Sequence, residues 1–308
     1  MKGAVMVHLA SGVGNIVFAT PLLAALRELD YVVDLLVDAD YPRTIELLRP
    51  WSLVREIVSR VDDTAYEHIL PAVPPFYWPR FERNYRRIAR VVRRPPDALF
   101  YRNEQDYYLA FARQIGYAAE RRPYYCLPIT AGEVHRVSCT TLVMAPGCKT
   151  GEMALKRWPH FAELAGRFED VLVVGTADDM RDAAGRAFHF PGHVRSLVDQ
   201  LTLRETAETM AAAGAVVGND SGLSHVAGAV GTPTLILFGP TPHVTLGQFP
   251  ENVRVLRAGL WCEPCWFGKK FQACGKRIEC LAQIRVERVE DVLREMMGLR
   301  KTGATMDA

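Results

Sequence analysis

Short runs of aliphatic and β-branched residues alternate with helix-period stretches along most of this chain, and that alternation leaves few folds open. AVMVHL (4–9) leads into the glycine turn ASGVGN (10–15), then the apolar-periodic IVFATPLLAALREL (16–29), then YVVDLLVD (31–38). Strand, tight turn, helix and strand make a parallel βαβ unit. Pro21 cannot sit inside a continuous helix, because its ring clashes with the carbonyl four residues back. A helix starting at Pro21 with Thr20 as its cap, and a separate turn over 16–19, is therefore predicted.

The second half repeats the pattern. TTLVMAPG (140–147), VLVVGT (171–176), AVVGND (215–220) and TLILFG (234–239) are strand-like, while HFAELAGRF, DDMRDAAGRAF and LRETAETMAAAG between them are helix-like at a 3.6 period. The expectation is a mostly parallel sheet in each half with helices on both faces. The 308 residues are enough for two such domains, divided near 131–138 into 1–135 and 136–308. Tandem α/β domains usually hold ligand in the cleft between them, at the carboxyl ends of the strands. Residues 71–81, PAVPPFYWPRF, are too rich in proline for a central strand.

Composition narrows the class further. The chain is 49% apolar and 23% charged, with 37 Lys+Arg against 35 Asp+Glu and a net charge of +2. A nucleic-acid polycation and an acidic disordered tail are both excluded. No stretch reaches the roughly 18 uninterrupted apolar residues of a spanning helix. The N-terminus reads as a first strand rather than a signal segment, so a cytoplasmic location is expected. The near-neutral total averages over one strongly basic stretch, RFERNYRRIARVVRR (80–94), with seven Arg and one Glu. As a helix beside Phe76, Tyr77, Trp78 and Phe81 it could dock on anionic headgroups or a phosphorylated acceptor; a solvated face is the plainer alternative.

Three constellations carry chemistry. Gly12-Val13-Gly14-Asn15 follows a strand and opens a helix, where glycines let a backbone approach an anion. It lacks the third glycine of a dinucleotide fingerprint, and a simple chain reversal explains it equally. Asp220-Ser221-Gly222-Leu223, with His225 one turn on, lies between strand and helix. Asp220 or Ser221 can cap that helix and leave its first amides facing a diphosphate, or merely satisfy the backbone. Lys156, in the loop Lys156-Arg157-Trp158-Pro159, could neutralise phosphate charge, or lie in a solvated basic loop.

MVHLASGVGNIVFATPLLAALREL, MAPGCKTGEMALKRWPHFAELA and LTLRETAETMAAAGAVVGNDSGLSHVAGAVGTPTLILFGPT, in this order, resemble glycosyltransferase family 9, the ADP-heptose:lipopolysaccharide heptosyltransferases. The resemblance is weakest over about 60–125. It implies a GT-B architecture, two Rossmann-like domains facing a central cleft, with an acceptor-binding N-terminal and a nucleotide-sugar-binding C-terminal domain. It implies inverting transfer of a heptose or related sugar, ADP-heptose favoured as donor, without a catalytic metal. The acceptor would be a hydroxyl of a cell-surface glycan, lipid A core or protein, reached in part at the inner membrane face. Lys156 would hold the donor diphosphate, with Asp220, Ser221, Gly222, Leu223 and His225 around the donor. Gly12 and Gly14 would form a loop over the reacting centre.

The chain departs from that family at Asn15, where an Asp proposed as general base is typical. An amide cannot take a proton from an acceptor hydroxyl. Either His8, Asp38 or Asp40 replaces it, or Asn15 only orients the acceptor, or the chain binds a sugar nucleotide without catalysis. The same fold with another donor and a protein or natural-product acceptor is a further alternative, whereas a Rossmann dehydrogenase is disfavoured.

Seven cysteines are an odd number for a disulfide framework, and four of them, Cys262, Cys265, Cys274 and Cys280, lie within 262–280. The two-residue gap of the first pair suits one tetrahedral ion. Structural zinc fits by geometry and iron by its thiolate preference, with disulfides or free thiols as the alternative. Similar clusters recur in part of the resembled family, one branch of it with iron. Cys126, Cys139 and Cys148 lack such spacing.

Overall fold

A computed structural model of the chain describes residues 2–299 except 50, 63, 96–102, 121–122, 133–135, 150–154 and 266–277. It divides into two compact units, Met1–Ile129 with Val244–Pro250, and Thr130–His243 with Glu251–Ala308. The division falls a few residues before the expected 135, and a short C-terminal segment joins the first unit.

In the first unit, strands β1 (Ala4–Ser11), β2 (Val32–Ala39), β3 (Val54–Val58) and β4 (His68–Leu70) form a parallel sheet in the order β3-β2-β1-β4. β1 is buried along almost its whole length, which explains its unbroken apolar run. Helix α1 (Val13–Phe18) follows the glycine turn, and α2 (Thr20–Glu28) begins after a break at Ala19. The break is where Pro21 demands it, but Ala19 occupies the cap position rather than Thr20. The Thr20 hydroxyl instead donates to the Val17 carbonyl at 2.7 Å. The basic stretch is helical only in α3 (Trp78–Tyr85), after which Val91 bridges to Ile69 beside β4. Recruitment to the sheet edge thus overrides the longer helix envisaged for 80–94.

Helix α4 (Glu104–Gln114) is capped by Asn103, whose side-chain oxygen accepts from the Asp106 amide at 2.8 Å. It also captures the returning segment. Gln105 Nε2 donates to the carbonyls of Leu246 and Gln248, both at 3.1 Å. Gly247, at φ +121°, passes so close that a Cβ there would meet the Gln105 amide at 2.5 Å. Only glycine serves at that crossing.

The second unit holds β5 (Leu142–Ala145), β6 (Val171–Val173), β7 (Arg195–Ser196), β8 (Ala215–Asn219), β9 (Thr234–Leu237) and β10 (Val253–Leu256), parallel in the order β10-β9-β8-β5-β6-β7. Helices α5 (Phe161–Ala165), α6 (Leu203–Ala212) and α7 (Gly222–Ala229) flank it. One face packs Met144, Trp158, Phe161, Val217 and Leu237 against the helix Val286–Met296; the other packs Val143, Leu172, Met210 and Ala227. α6 starts at a capping box in which Thr202 and Glu205 satisfy each other's backbone amides.

The helix expected over 178–188 does not form. The Asp182 side chain accepts from the amides of Ala184 and Arg186, each at 2.9 Å, and Gly185 adopts φ +81°. A local Asp-to-backbone turn outcompetes the helix its apolar spacing suggests.

Candidate functional site

β8 ends at Asn219, and its last residues shape the turn that follows. A Cβ on Gly218 would lie 2.4 Å from Ser224 Oγ and 2.8 Å from the Ala145 carbonyl, so neighbouring β5 can approach only a glycine. Asn219 is fully buried; its Oδ1 accepts from the Trp158 amide at 2.8 Å and its Nδ2 donates to the Pro146 carbonyl. One amide therefore fixes the loops after β5 and β8 together, and with them Lys156.

Asp220 then turns its carboxylate toward three groups. Lys156 Nζ donates to Oδ2 at 2.9 Å, Thr241 Oγ1 donates to the same oxygen at 2.8 Å, and His225 Nε2 lies 3.1 Å from Oδ1. The Lys156 and Asp220 side chains retain only 13% and 9% exposure. Burial alone would push the Asp220 pKa up, but the Lys156 ammonium and His225 outweigh it and hold the carboxyl well below the usual range. Ser221 occupies the N-cap position of α7 without a side-chain cap bond, so Gly222 and Leu223 open the helix with no hydroxyl across their amides. Lys156, Asp220, Ser221, Gly222, Leu223 and His225 thus meet at one helix N-terminus. Thr241, two residues past the FG of TLILFG, is a member that motif reading did not single out.

Arg157 turns away from this group. Its guanidinium is buried and donates to the Asp178 carbonyl at 2.7 Å, with Asp179 at 3.6 Å.

In the first unit, Gly12 is the N-cap of α1, Val13 and Gly14 open that helix, and Asn15 stands on its first turn. Ser11 before it adopts φ +90°, a strained value for a residue with a Cβ, and its carbonyl accepts from the Asp40 amide at 2.9 Å. Ser11 Oγ donates to Asn15 Oδ1 at 3.0 Å, and Asn15 Nδ2 donates to Glu104 Oε1 at 2.6 Å. An ionised carboxylate only accepts, so Glu104 fixes which way the amide faces. Tyr108 also donates to Glu104 Oε1, at 2.8 Å. Sequence reasoning missed Glu104, which lies 89 residues from Asn15 in the weakly patterned region.

The candidate replacements for an acid at position 15 are differently placed. His8 is fully buried, with Nε2 at 2.7 Å from Asp38 and Nδ1 in a short hydrogen bond with Tyr85. Burial lowers its pKa, against the opposing pull of Asp38. Both carboxylate oxygens of Asp40 accept from Tyr77, at 2.9 and 3.1 Å.

Of the four cysteines expected to bind metal, Cys274 lies outside the described residues. Cys280 is buried, and its thiol is pushed up to about 12 by burial and then by Glu263, Cys265 and Cys262. Among the described residues, no group of three or more His, Cys, Asp or Glu is placed to hold a metal ion. Cys262, Cys265 and Cys280 are thus not gathered into a metal-binding group, and the expected finger is not seen among the described residues.

Residues 101–273 match the family described as glycosyltransferase family 9 (heptosyltransferase), a stretch of more than half the chain that contains Glu104, Lys156 and the whole β8–α7 turn. The chain belongs to glycosyltransferase family 9. Lipopolysaccharide heptosyltransferase 2 of Escherichia coli K12 is 34% identical to this family 9 chain over 122 residues, 36% of the chain and 34% of that protein. The match therefore spans about a third of that relative's length. The solved structure of E. coli ADP-heptose lipopolysaccharide heptosyltransferase II shares the fold at TM-score 0.69 and 21% identity, covering 96% of this chain and 98% of that one. The iron-containing dodecameric glycosyltransferase TibC of enterotoxigenic E. coli shares it at TM-score 0.63 and 15% identity, over 96% and 77% of the two chains. These likenesses establish the α/β fold with parallel sheets. No helix among the described residues is long and apolar enough to cross a membrane.

Proposed function

We propose that this family 9 chain transfers a heptose, or a related sugar, from a nucleotide-sugar donor to an acceptor hydroxyl of a lipopolysaccharide-type glycan, with ADP-heptose the donor to test first. The observation that carries this is the convergence of Lys156, Thr241 and His225 on Asp220 at the N-terminus of α7. A leaving nucleoside diphosphate gains negative charge as the glycosidic bond breaks, and an ammonium beside oriented amides stabilises that charge. Lys156 has three N–H donors, so its bond to Asp220 does not exhaust it. In this proposal Lys156 and the amides of Gly222 and Leu223 take the diphosphate, Asp220 with His225 and Thr241 holds the lysine and meets the donor, and Gly12 and Gly14 face the reacting centre. The second unit then serves the donor and the first the acceptor, with the basic 80–94 stretch available for an anionic acceptor.

A thermal-shift series with ADP, ADP-heptose, UDP-sugars and GDP-sugars tests the donor. Stabilisation by ADP-heptose of at least several degrees is expected, and its absence with every donor overturns the proposal. Asn15 supports one other reading, binding of the sugar nucleotide without transfer, in which the donor stabilises the protein but no ADP is released. For the cysteines, the Cys262-x2-Cys265 spacing followed by Cys274 and Cys280 supports a structural zinc or iron. Such an ion would crosslink the segment. Elemental analysis finding less than one equivalent of metal removes it.

A further inference from the structure

We infer that Glu104 is the general base of the transfer, with Asn15 as the residue that positions it and the acceptor sugar seated in the adjoining pocket. This rests on the transferase function proposed above. A hydroxyl attacking a sugar carbon must shed its proton, and an amide at position 15 cannot take it. Among the described residues, Asp38, Asp40 and Glu104 are the candidate carboxylates for this role. Asp38 pairs through one oxygen with the buried His8 at 2.7 Å, and the single Tyr77 hydroxyl is shared between the two oxygens of Asp40. The Asn15 side chain bonds to neither of these carboxylates. Glu104 is bonded directly to Asn15, at 2.6 Å, so a carboxylate stands one hydrogen bond outward from that position.

Glu104 also lines a surface pocket of about 190 Å³ whose other walls include Pro74, Pro75, Phe76 and Tyr107. Phe76 is 70% exposed, an aromatic face held open to solvent by the proline-rich turn before α3. Proline and aromatic walls, with Asn103, Thr245 and the Glu104 carboxylate among them, match a sugar ring. Its C–H faces pack on an aromatic surface while its hydroxyls reach polar groups and the acid. The geometry is braced from behind: Ser11 holds the Asn15 oxygen, and Tyr108 shares Glu104 Oε1. In the step itself, the acceptor oxygen forms a bond to C1 of the donor sugar, and the bond from C1 to the diphosphate oxygen breaks. The electron pair leaves with the nucleoside diphosphate, and the hydroxyl proton passes to the Glu104 carboxylate.

The test compares the wild type with E104Q, D40N and F76A, using ADP-heptose as donor and heptose-deficient lipopolysaccharide or water as acceptor. ADP release is read together with ADP affinity. E104Q retains an oxygen for Asn15 and Tyr108, so its ADP affinity and melting temperature should match wild type. Its kcat should fall by about 100-fold or more, the usual worth of a general base, and the acid limb of the pH profile should vanish. D40N should stay within about threefold, and F76A should raise KM for the glycan acceptor. The double variant N15D/E104Q, which moves the carboxylate inward by one hydrogen bond, should recover part of the lost rate. E104Q turning over within threefold of wild type overturns the assignment alone, and a collapse confined to D40N transfers the role to Asp40. No ADP release by the wild type overturns the transferase proposal and this assignment together.

Discussion

Lys156 Nζ lies 2.9 Å from Asp220 Oδ2, and the two residues reach this contact from loops 64 positions apart. Both side chains are largely buried, so each neutralises a charge the other could not leave exposed to a dry environment. Replacing Lys156 with Met should therefore act twice. Stability should drop by about 3–5 kcal/mol, the cost of stranding one partner of a buried pair, as read by urea denaturation. ADP affinity should fall at least tenfold by calorimetry. A variant that binds ADP as wild type does would remove the lysine from the diphosphate site.

Acid should dissolve the same pair. The folded-state pKa of Asp220 is depressed, so its contribution is fully present above the unfolded carboxylate range near pH 4 and is lost as pH falls through the lower folded value. Unfolding midpoints followed between pH 5 and 2 should drop steeply for the wild type and less for D220N. Parallel curves would show that Asp220 does not govern acid stability.

His8 should set a second transition at milder pH. Its folded pKa is lowered by burial, so below about pH 6.5 the unfolded chain binds a proton that the folded chain resists. Stability should fall as pH drops from 7 toward 5, and His8→Gln should flatten that portion of the curve. Differential scanning calorimetry at half-unit pH steps reads this directly.

Trp158 should be the costliest truncation in the second unit. Its ring is fully buried, its indole N–H donates to the Ile284 carbonyl at 2.9 Å, and it packs edge-on against Phe161 with ring centres 5.1 Å apart. Trp158→Ala should cost about 3–5 kcal/mol by chemical denaturation. Trp261, 84% exposed, should cost less than about 0.5 kcal/mol when truncated in the same way. Similar losses at both positions would contradict the packing described.

Cys280 should be nearly inert to alkylation in the native protein freed of any metal by a chelator. A buried thiol with a pKa of about 12 holds almost no thiolate at pH 8, whereas Cys139 is exposed. Mass spectrometry after timed iodoacetamide treatment should show Cys139 modified at least about 100-fold faster. Equal rates would place Cys280 at the surface.

The inner strands β1, β2, β5, β6, β8 and β9 were legible because burial leaves continuous β-branched runs in the sequence. The edge strands β3, β4, β7 and β10, short or half-exposed, carry no such run and were not singled out. AVMVHL became β1 and AVVGND became β8 with little change. The turn before α7 was legible for a related reason: a strand end, small residues and a helix start adjoin in sequence, so Asp220 through His225 stay together however the rest folds. The stretch 178–188 misled because periodicity cannot register that Asp182 has backbone amides within reach. The basic stretch misled because Val91 finds a strand to pair with only after β4 exists.

Local patterning thus determined the α/β class, the inner parallel strands and the turn before α7, since each depends on residues a few positions apart. Tertiary structure decided what those residues can do. It placed Thr241 on Asp220, returned 244–250 to the first unit, and set Glu104 against Asn15 across 89 positions. Hydrogen bonds act over about 3 Å, and distance in space is what a chain's linear order does not encode until its core has packed.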